Sequence, residues 1–311
     1  MTSRIIAPVL VAVGMSFADA PSFALSPSQN ALAEQITQKT MQLKYADAFS
    51  LARKLRLEND GVGCVFQNVI RISMYDDKGD TTSLKVAAKN LEGCNAEGLW
   101  DALRNFEIGY ALTETGHSVK GAMQTRSAAK SFEEAQDFES KAFFAIYAYY
   151  VDNSLGWLPF KSDNRETYLK DLDAASIKSE RFWPLFLTSL IWMHYDRKDF
   201  NTGLALAERG LKKAPNHPVM LQIKADMLYR LKRYAEAAAI YEKSAADYLE
   251  RTGKSIRYWC SVLNLIRIYH DMGDDAKSYK QHKKLDDPEF KKLEKWMPGS
   301  LMDDLKDRKL L

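Results

Sequence analysis

The sequence predicts an all-α protein in which helix–turn–helix pairs stack in tandem into a solenoid. Three observations carry this: a pattern of small and aromatic residues recurs at a fixed interval, apolar residues fall at helical spacing nearly throughout, and strand-like alternation is almost absent. Composition agrees, since 46% of the 311 residues are apolar and only 15 are Gly and 9 Pro, which excludes disordered and fibrous classes. A net charge of +3 is too small for a chain that holds nucleic acid by charge alone. Three cysteines cannot scaffold a disulfide-dense domain.

The first element is an address. Arg4 precedes an apolar stretch, Ile5 to Met15, and small residues follow, the layout of a secretory signal peptide. Two cleavage frames fit, Ala18-Asp19-Ala20 and Ser22-Phe23-Ala24; the second is preferred because the first sets Pro21 directly after the scissile bond. Residues 1–24 are therefore expected to be removed, leaving a soluble chain in the periplasm or outside the cell. The apolar stretch is too short to span about 30 Å of hydrocarbon, and no later segment is long enough either. The alternative, an amphipathic N-terminal helix, lacks a polar face over residues 5–15.

Residues 25–180 read as irregular helical pairs. Leu32 and Ile36 are followed by Tyr45, Ala48, Ala52 and Leu55; the next pair runs through Ile72, Tyr75, Gly79, Leu84, Ala88 and Leu91. Ile108, Gly109, Leu112, Gly116, Gly121 and Ala128 mark a third, and Phe144, Tyr147, Ala148 and Val151 open a fourth. That fourth pair crosses a longer turn at Trp157 and resumes near Asn164. Val65–Ile70, although β-branched, reads as helix in this context.

Residues 181–292 are regular. Phe200, Gly203, Ala207 and Gly210 recur thirty-four positions later as Tyr234, Ala237, Tyr241 and Ser244. The 3-4-3 spacing is one helical face. Small residues let two helices approach, an aromatic wedges between them, and Pro215 stops the second helix. A third unit, after an insertion near Tyr248–Lys254, carries Val262, Leu265, Ile266, Tyr269 and Gly273, but places Asp275 in the wedge slot. Residues 293–311 form a charged C-terminal cap, read as an end helix.

The segments RKDFNTGLALAERGLKKAPNHP and KRYAEAAAIYEKSAADY resemble the second helix of the tetratricopeptide repeat (TPR). The resemblance implies a right-handed solenoid of about seven pairs whose first helices line a concave groove for a protein or peptide. Register then names the groove slots: Tyr110, Tyr149, Trp192, Tyr195, Asp226, Tyr229 and Arg267. The ninth slot of successive first helices runs Tyr110, Tyr149, Trp192, Asp226, Arg267, with rings in one half and charges in the other. Some family members grip a C-terminal carboxylate with Lys and Asn; here those slots hold Thr188, Trp192, Gln222, Asp226, Leu263 and Arg267, which departs from that pattern.

Catalysis has no visible seat. His117, His194, His217, His270 and His282 show no metal-ligand spacing, and no phosphate-cradling glycine loop or nucleophile elbow is present. Neither a metal nor another cofactor is expected, and Asp76-Asp77-Lys78-Gly79-Asp80 reads as a plain turn. Cys64 and Cys94 bracket one antiparallel pair, so a disulfide fits, while Cys260 is a spare thiol. An exported scaffold for a protein or peptide is the leading reading. A glycan-binding module using Trp100, Tyr150 and Trp157, and self-association through an end repeat, remain open beside it.

Overall fold

The computed structural model describes residues 22–135, 137–155 and 163–311; most of the leader and Trp157 lie outside them. Seven antiparallel pairs follow one another among the described residues. They are α1 (Pro27–Met41) with α2 (Tyr45–Glu58), α3 (Asp60–Lys78) with α4 (Thr81–Glu92), and α5 (Gly98–Glu114) with α6 (Ser118–Glu134). Next come α7 (Phe138–Leu155) with α8 (Arg165–Lys178), and α9 (Trp183–Asp196) with α10 (Phe200–Lys213). The last are α11 (Pro218–Arg230) with α12 (Tyr234–Thr252), and α13 (Ile256–Asp271) with α14 (Asp275–His282). Residues 65–70 lie within α3, and the insertion near 248 lengthens α12 instead of forming a loop.

The turn inside six of the seven pairs explains why the irregular half obeys the same architecture. Leu43, Gly79, Gly116, Lys198, Lys232 and Gly273 all have positive φ, and each lies two residues before the second helix of its pair. In five of these turns the next residue's N–H reaches back five positions: Lys44 to Lys39, His117 to Leu112, Asp199 to His194, Arg233 to Leu228 and Asp274 to Tyr269. That is the helix stop in which a left-handed residue lets the chain satisfy the last carbonyls. Three of the six are not glycine, so the turn is held by these bonds against a local steric preference.

Helix starts are as well defined. Ser26 and Gln29 form a reciprocal capping box at α1, with Pro27 in the first turn. Asn59 caps α3, Asp199 caps α10, Ser255 caps α13 and Asp274 caps α14. Within the third pair, a Cβ on Gly109 would lie 2.9 Å from the Gly121 carbonyl oxygen, and one on Gly121 2.7 Å from that of Gly109. Two glycines at this crossing therefore let α5 and α6 touch backbone to backbone.

The sulfurs of Cys64 and Cys94 are joined, with their Cα atoms 5.6 Å apart, tying the start of α3 to the turn after α4. Cys260 is buried and unpaired.

The expectation of a long open groove needs correcting, because the solenoid closes on itself. Asp77 at the end of α3 is fully buried and receives the Tyr45 hydroxyl at 3.1 Å and two Arg251 guanidinium nitrogens at 3.0 and 3.1 Å. Gly79 beside it has φ 72°, and a Cβ there would lie 2.7 Å from Ile256 Cβ. Farther along, Thr37 donates to the Arg181 carbonyl at 2.7 Å, and the Arg181 guanidinium donates to Asn30 at 2.8 Å while pairing with Glu139. The first pair thus meets the segment that leads into α9, and the second meets α12 and the start of α13.

The C-terminal cap is not one helix. Pro288 opens α15 (Pro288–Leu293), a short 3-10 turn follows, and after Pro298 the chain forms α16 (Gly299–Asp307), since proline cannot continue the ladder. Phe290 packs its edge on Trp259 at 5.3 Å, and Leu301, Met302 and Leu305 are buried with it.

Candidate partner-binding wall

The first helices of the pairs carry different chemistry at their two ends. Near the N-terminal ends of α3, α5, α7 and α9, the rings of Phe66, Trp100, Phe143, Phe182 and Phe186 converge. Phe143 lies 5.2 Å from Phe182 and 5.0 Å from Phe186, both edge to face, and Phe66 stacks on Phe182 at 6.3 Å. This geometry favours ring quadrupoles as well as burial. Trp100 is buried here, which removes it as a platform for a sugar ring. Phe23, ahead of α1, is enclosed in the same chamber.

Toward the C-terminal ends of the same helices, tyrosines and charges replace phenylalanine. Tyr110 on α5 donates to Asp76 on α3 at 3.0 Å, and Tyr75 on α3 donates to Glu114 on α5 at 2.9 Å. Tyr149 on α7 donates to the Met193 carbonyl on α9 at 3.1 Å. Arg230 on α11 donates to Tyr195 on α9 at 2.6 Å. Tyr229 on α11 donates to Asp271 on α13 at 2.7 Å. Tyr110, Tyr149, Tyr195 and Tyr229, expected to face a partner, instead tie α5 to α3, α7 to α9, α9 to α11 and α11 to α13.

The charged slots are similarly engaged. Asp226 accepts the Tyr241 hydroxyl at 2.7 Å. Arg267, buried, lies over the Tyr229 ring at 4.0 Å and donates to Asn264 at 2.6 Å and to Asp304 of α16 at 3.3 Å. Arg308, which follows α16, donates to Asp271 at 2.6 Å and to the Tyr229 hydroxyl at 3.3 Å. The C-terminal cap thus covers the groove at α11 and α13. It leaves Tyr229 and Arg267 in an internal network instead of presenting them. The hydrogen bonds and ion pairs from Asp304 and Arg308 that engage them arise from a segment thirty or more residues downstream.

Trp192 differs from its companions. It is part exposed, sits edge to face with Tyr195 at 5.4 Å, and its indole N–H has no hydrogen-bond partner among those described. A second unengaged group was not singled out from the sequence. Glu107, on α5 one turn before Tyr110, is only 7% exposed and accepts no described hydrogen bond. Burial, reinforced by the Asp76 charge, pushes its carboxyl up to about 8. Asp76 is pushed up to about 6 by burial, against the opposing pull of Arg257 and the Tyr110 hydroxyl. Asp76 already has Arg257 and Tyr110 acting on it, whereas no cation offsets the burial of Glu107; an amine or guanidinium brought to it would favour its ionised form.

Among the described residues no group of His, Cys, Asp and Glu could hold a metal ion, and no helix is long and apolar enough to cross a membrane. His217 caps α11 by accepting from the Met220 N–H at 3.4 Å, and burial lowers its pKa to about 4, which keeps the ring neutral and structural. Burial raises the Cys260 thiol to about 11, leaving it inert.

No protein-family model matches the chain. No curated protein matches it either. Among solved structures, a Rap protein in complex with Competence and Sporulation Factor is similar at 15% identity and a TM-score of 0.54, covering 91% of this chain and 80% of its own. Pseudomonas aeruginosa pilF is similar at 14% identity and a TM-score of 0.38, covering 86% of this chain and 96% of its own. A tetratricopeptide repeat protein from Parabacteroides merdae gives 12% identity and a TM-score of 0.41, covering 86% and 98%. The fold is an all-α helical-repeat solenoid of the TPR kind.

Proposed function

We propose that this protein is an exported, non-enzymatic scaffold that holds a protein or peptide partner on the polar half of its inner wall. Its role would lie in assembly or upkeep of an envelope or secreted complex. The observation that carries the reading is Trp192: a large, part-exposed ring braced by Tyr195, with its N–H unengaged, on a wall where every neighbouring tyrosine is tied down. A stiff aromatic with one free donor offers contact area at little entropic cost. Glu107 supplies a seat for a cationic group of the partner. The basic start, apolar stretch and small residues of the leader support export. The Rap protein offers an example of this kind of fold in complex with a factor.

Pull-down from envelope extract with the wild-type chain and with Trp192→Ala tests the reading. Loss of one specific protein from the variant's eluate is expected. Equal recovery by both forms contradicts the assignment.

A further inference from the structure

Phe23 lies ahead of the first helix, yet it is as deeply placed as any core residue. Its ring is 2% exposed. It meets Trp100 edge to face at 5.1 Å, Phe143 at 5.5 Å, Phe182 at 5.5 Å and Phe132 at 6.0 Å. The Arg181 guanidinium stands 6.0 Å from its centroid. These partners come from α5, α6, α7 and the entry to α9, so one ring closes a chamber built by three pairs. Only Ala24 and Leu25 separate it from the Ser26 capping box, which fixes where the segment enters. Removing the ring would leave the facing aromatics around a void, and close-packed interiors relax only partly into such a space.

That placement conflicts with a leader that ends at Ala24. A cut there would discard Phe23 along with the export signal. A cut after Ala20 would keep the ring, but the scissile bond would then involve the ring nitrogen of Pro21. A third frame avoids both problems. Ser16-Phe17-Ala18 offers small residues at the two positions such a cut requires, and it leaves Pro21 two residues beyond Asp19.

We propose, resting on the export reading, that the leader is removed between Ala18 and Asp19, so that the mature chain keeps Phe23 as the closing ring of its aromatic chamber. The step is hydrolysis by an export peptidase. Water adds across the Ala18–Asp19 amide, the C–N bond breaks, the leader leaves with a terminal carboxylate, and Asp19 gains a terminal ammonium.

N-terminal sequencing and intact mass of the full chain expressed in a secreting bacterial host test this. A mature chain beginning at Asp19 is the expected result. A start at Pro21 overturns the frame, and a start at Leu25 overturns the retention of Phe23 as well. An uncut chain retained in the cytoplasm overturns the export reading itself, and the proposal with it. A second measurement isolates the ring: chains begun at Asp19 and at Leu25, both made without a leader, are melted side by side. The longer chain should melt several degrees higher, and Phe23→Ala within it should reproduce the loss. Equal melting of all three overturns the structural role of Phe23.

Discussion

The two ends of the same four helices, α3, α5, α7 and α9, solve the problem of facing one another in opposite ways. At the N-terminal ends the facing groups are phenylalanines and a tryptophan, and they fill the space with interlocking rings. At the C-terminal ends the facing groups are tyrosines and carboxylates, and they join helix to helix by single hydrogen bonds. Ring packing is strong and chemically mute: it stabilises in proportion to area and leaves nothing for a ligand to read. Hydrogen-bonded lacing adds roughly 1 kcal/mol per bond but fixes orientation. Wherever a polar group is left over, it is also available for recognition. Ring packing and polar lacing are therefore separated along these helices, and the recognition surface proposed above falls at their polar ends.

The largest effect that tests this separation is at the aromatic end. Phe143 is fully buried and touches Phe23, Phe106, Phe132, Phe182 and Phe186. Phe143→Ala should lower stability by about 3–5 kcal/mol, read by denaturant or thermal unfolding. A change below about 1 kcal/mol would show that the chamber is not the stabilising centre.

A smaller loss is expected where the solenoid closes. Asp77→Ala removes the acceptor for Tyr45 and Arg251. It should cost about 1–3 kcal/mol, because Arg251 keeps partial access to water. Hydrogen exchange should speed up at the end of α3 and the start of α13 together. Faster exchange confined to α3 would mean that the two ends of the chain do not support each other.

The third effect depends on pH. Glu107 has a folded-state pKa of about 8, against roughly 4.3 when unfolded. The folded protein holds the extra proton, so stability is full below about pH 4 and declines as pH rises toward 8. The raised Asp76 pKa acts in the same direction over a lower range. Glu107→Gln should therefore melt close to the wild type at pH 5 and above it at pH 9. Parallel melting profiles across that range would remove Glu107 from the set of strained, unpaired groups.

Much of the fold was legible because repeat packing constrains residue type locally. The small-residue slots at Gly203, Ala207, Ala237 and Ser244, with the wedges at Phe200 and Tyr234, identify pairs wherever they recur. The earlier pairs were harder to read, since they share the backbone turn more than the side chains. Leu43 takes a positive φ as Gly273 does, and no residue preference announces it. Of the candidate site, the helix face was legible and the partners were not. Register puts Tyr229 on the concave side, but Arg308, which reaches its hydroxyl, lies 79 positions away. Asp77 reads as part of a polar turn because its partner Arg251 is 174 positions distant. Nothing local in the sequence marks Glu107 as buried; its burial comes from the helices packed around it. The Ser22-Phe23-Ala24 frame puts Phe23 in the leader because it avoids a cut beside Pro21, a local signal that says nothing about the rings across the chamber.

The claim that recognition resides at the polar end is tested most directly by a photo-crosslinking amino acid placed at Trp192 in the native host. A second site at Leu57, 90% exposed on α2, serves as the outer-surface control. The account predicts one discrete adduct from position 192 and none from position 57. No adduct at 192, or the same adduct from both positions, would contradict it.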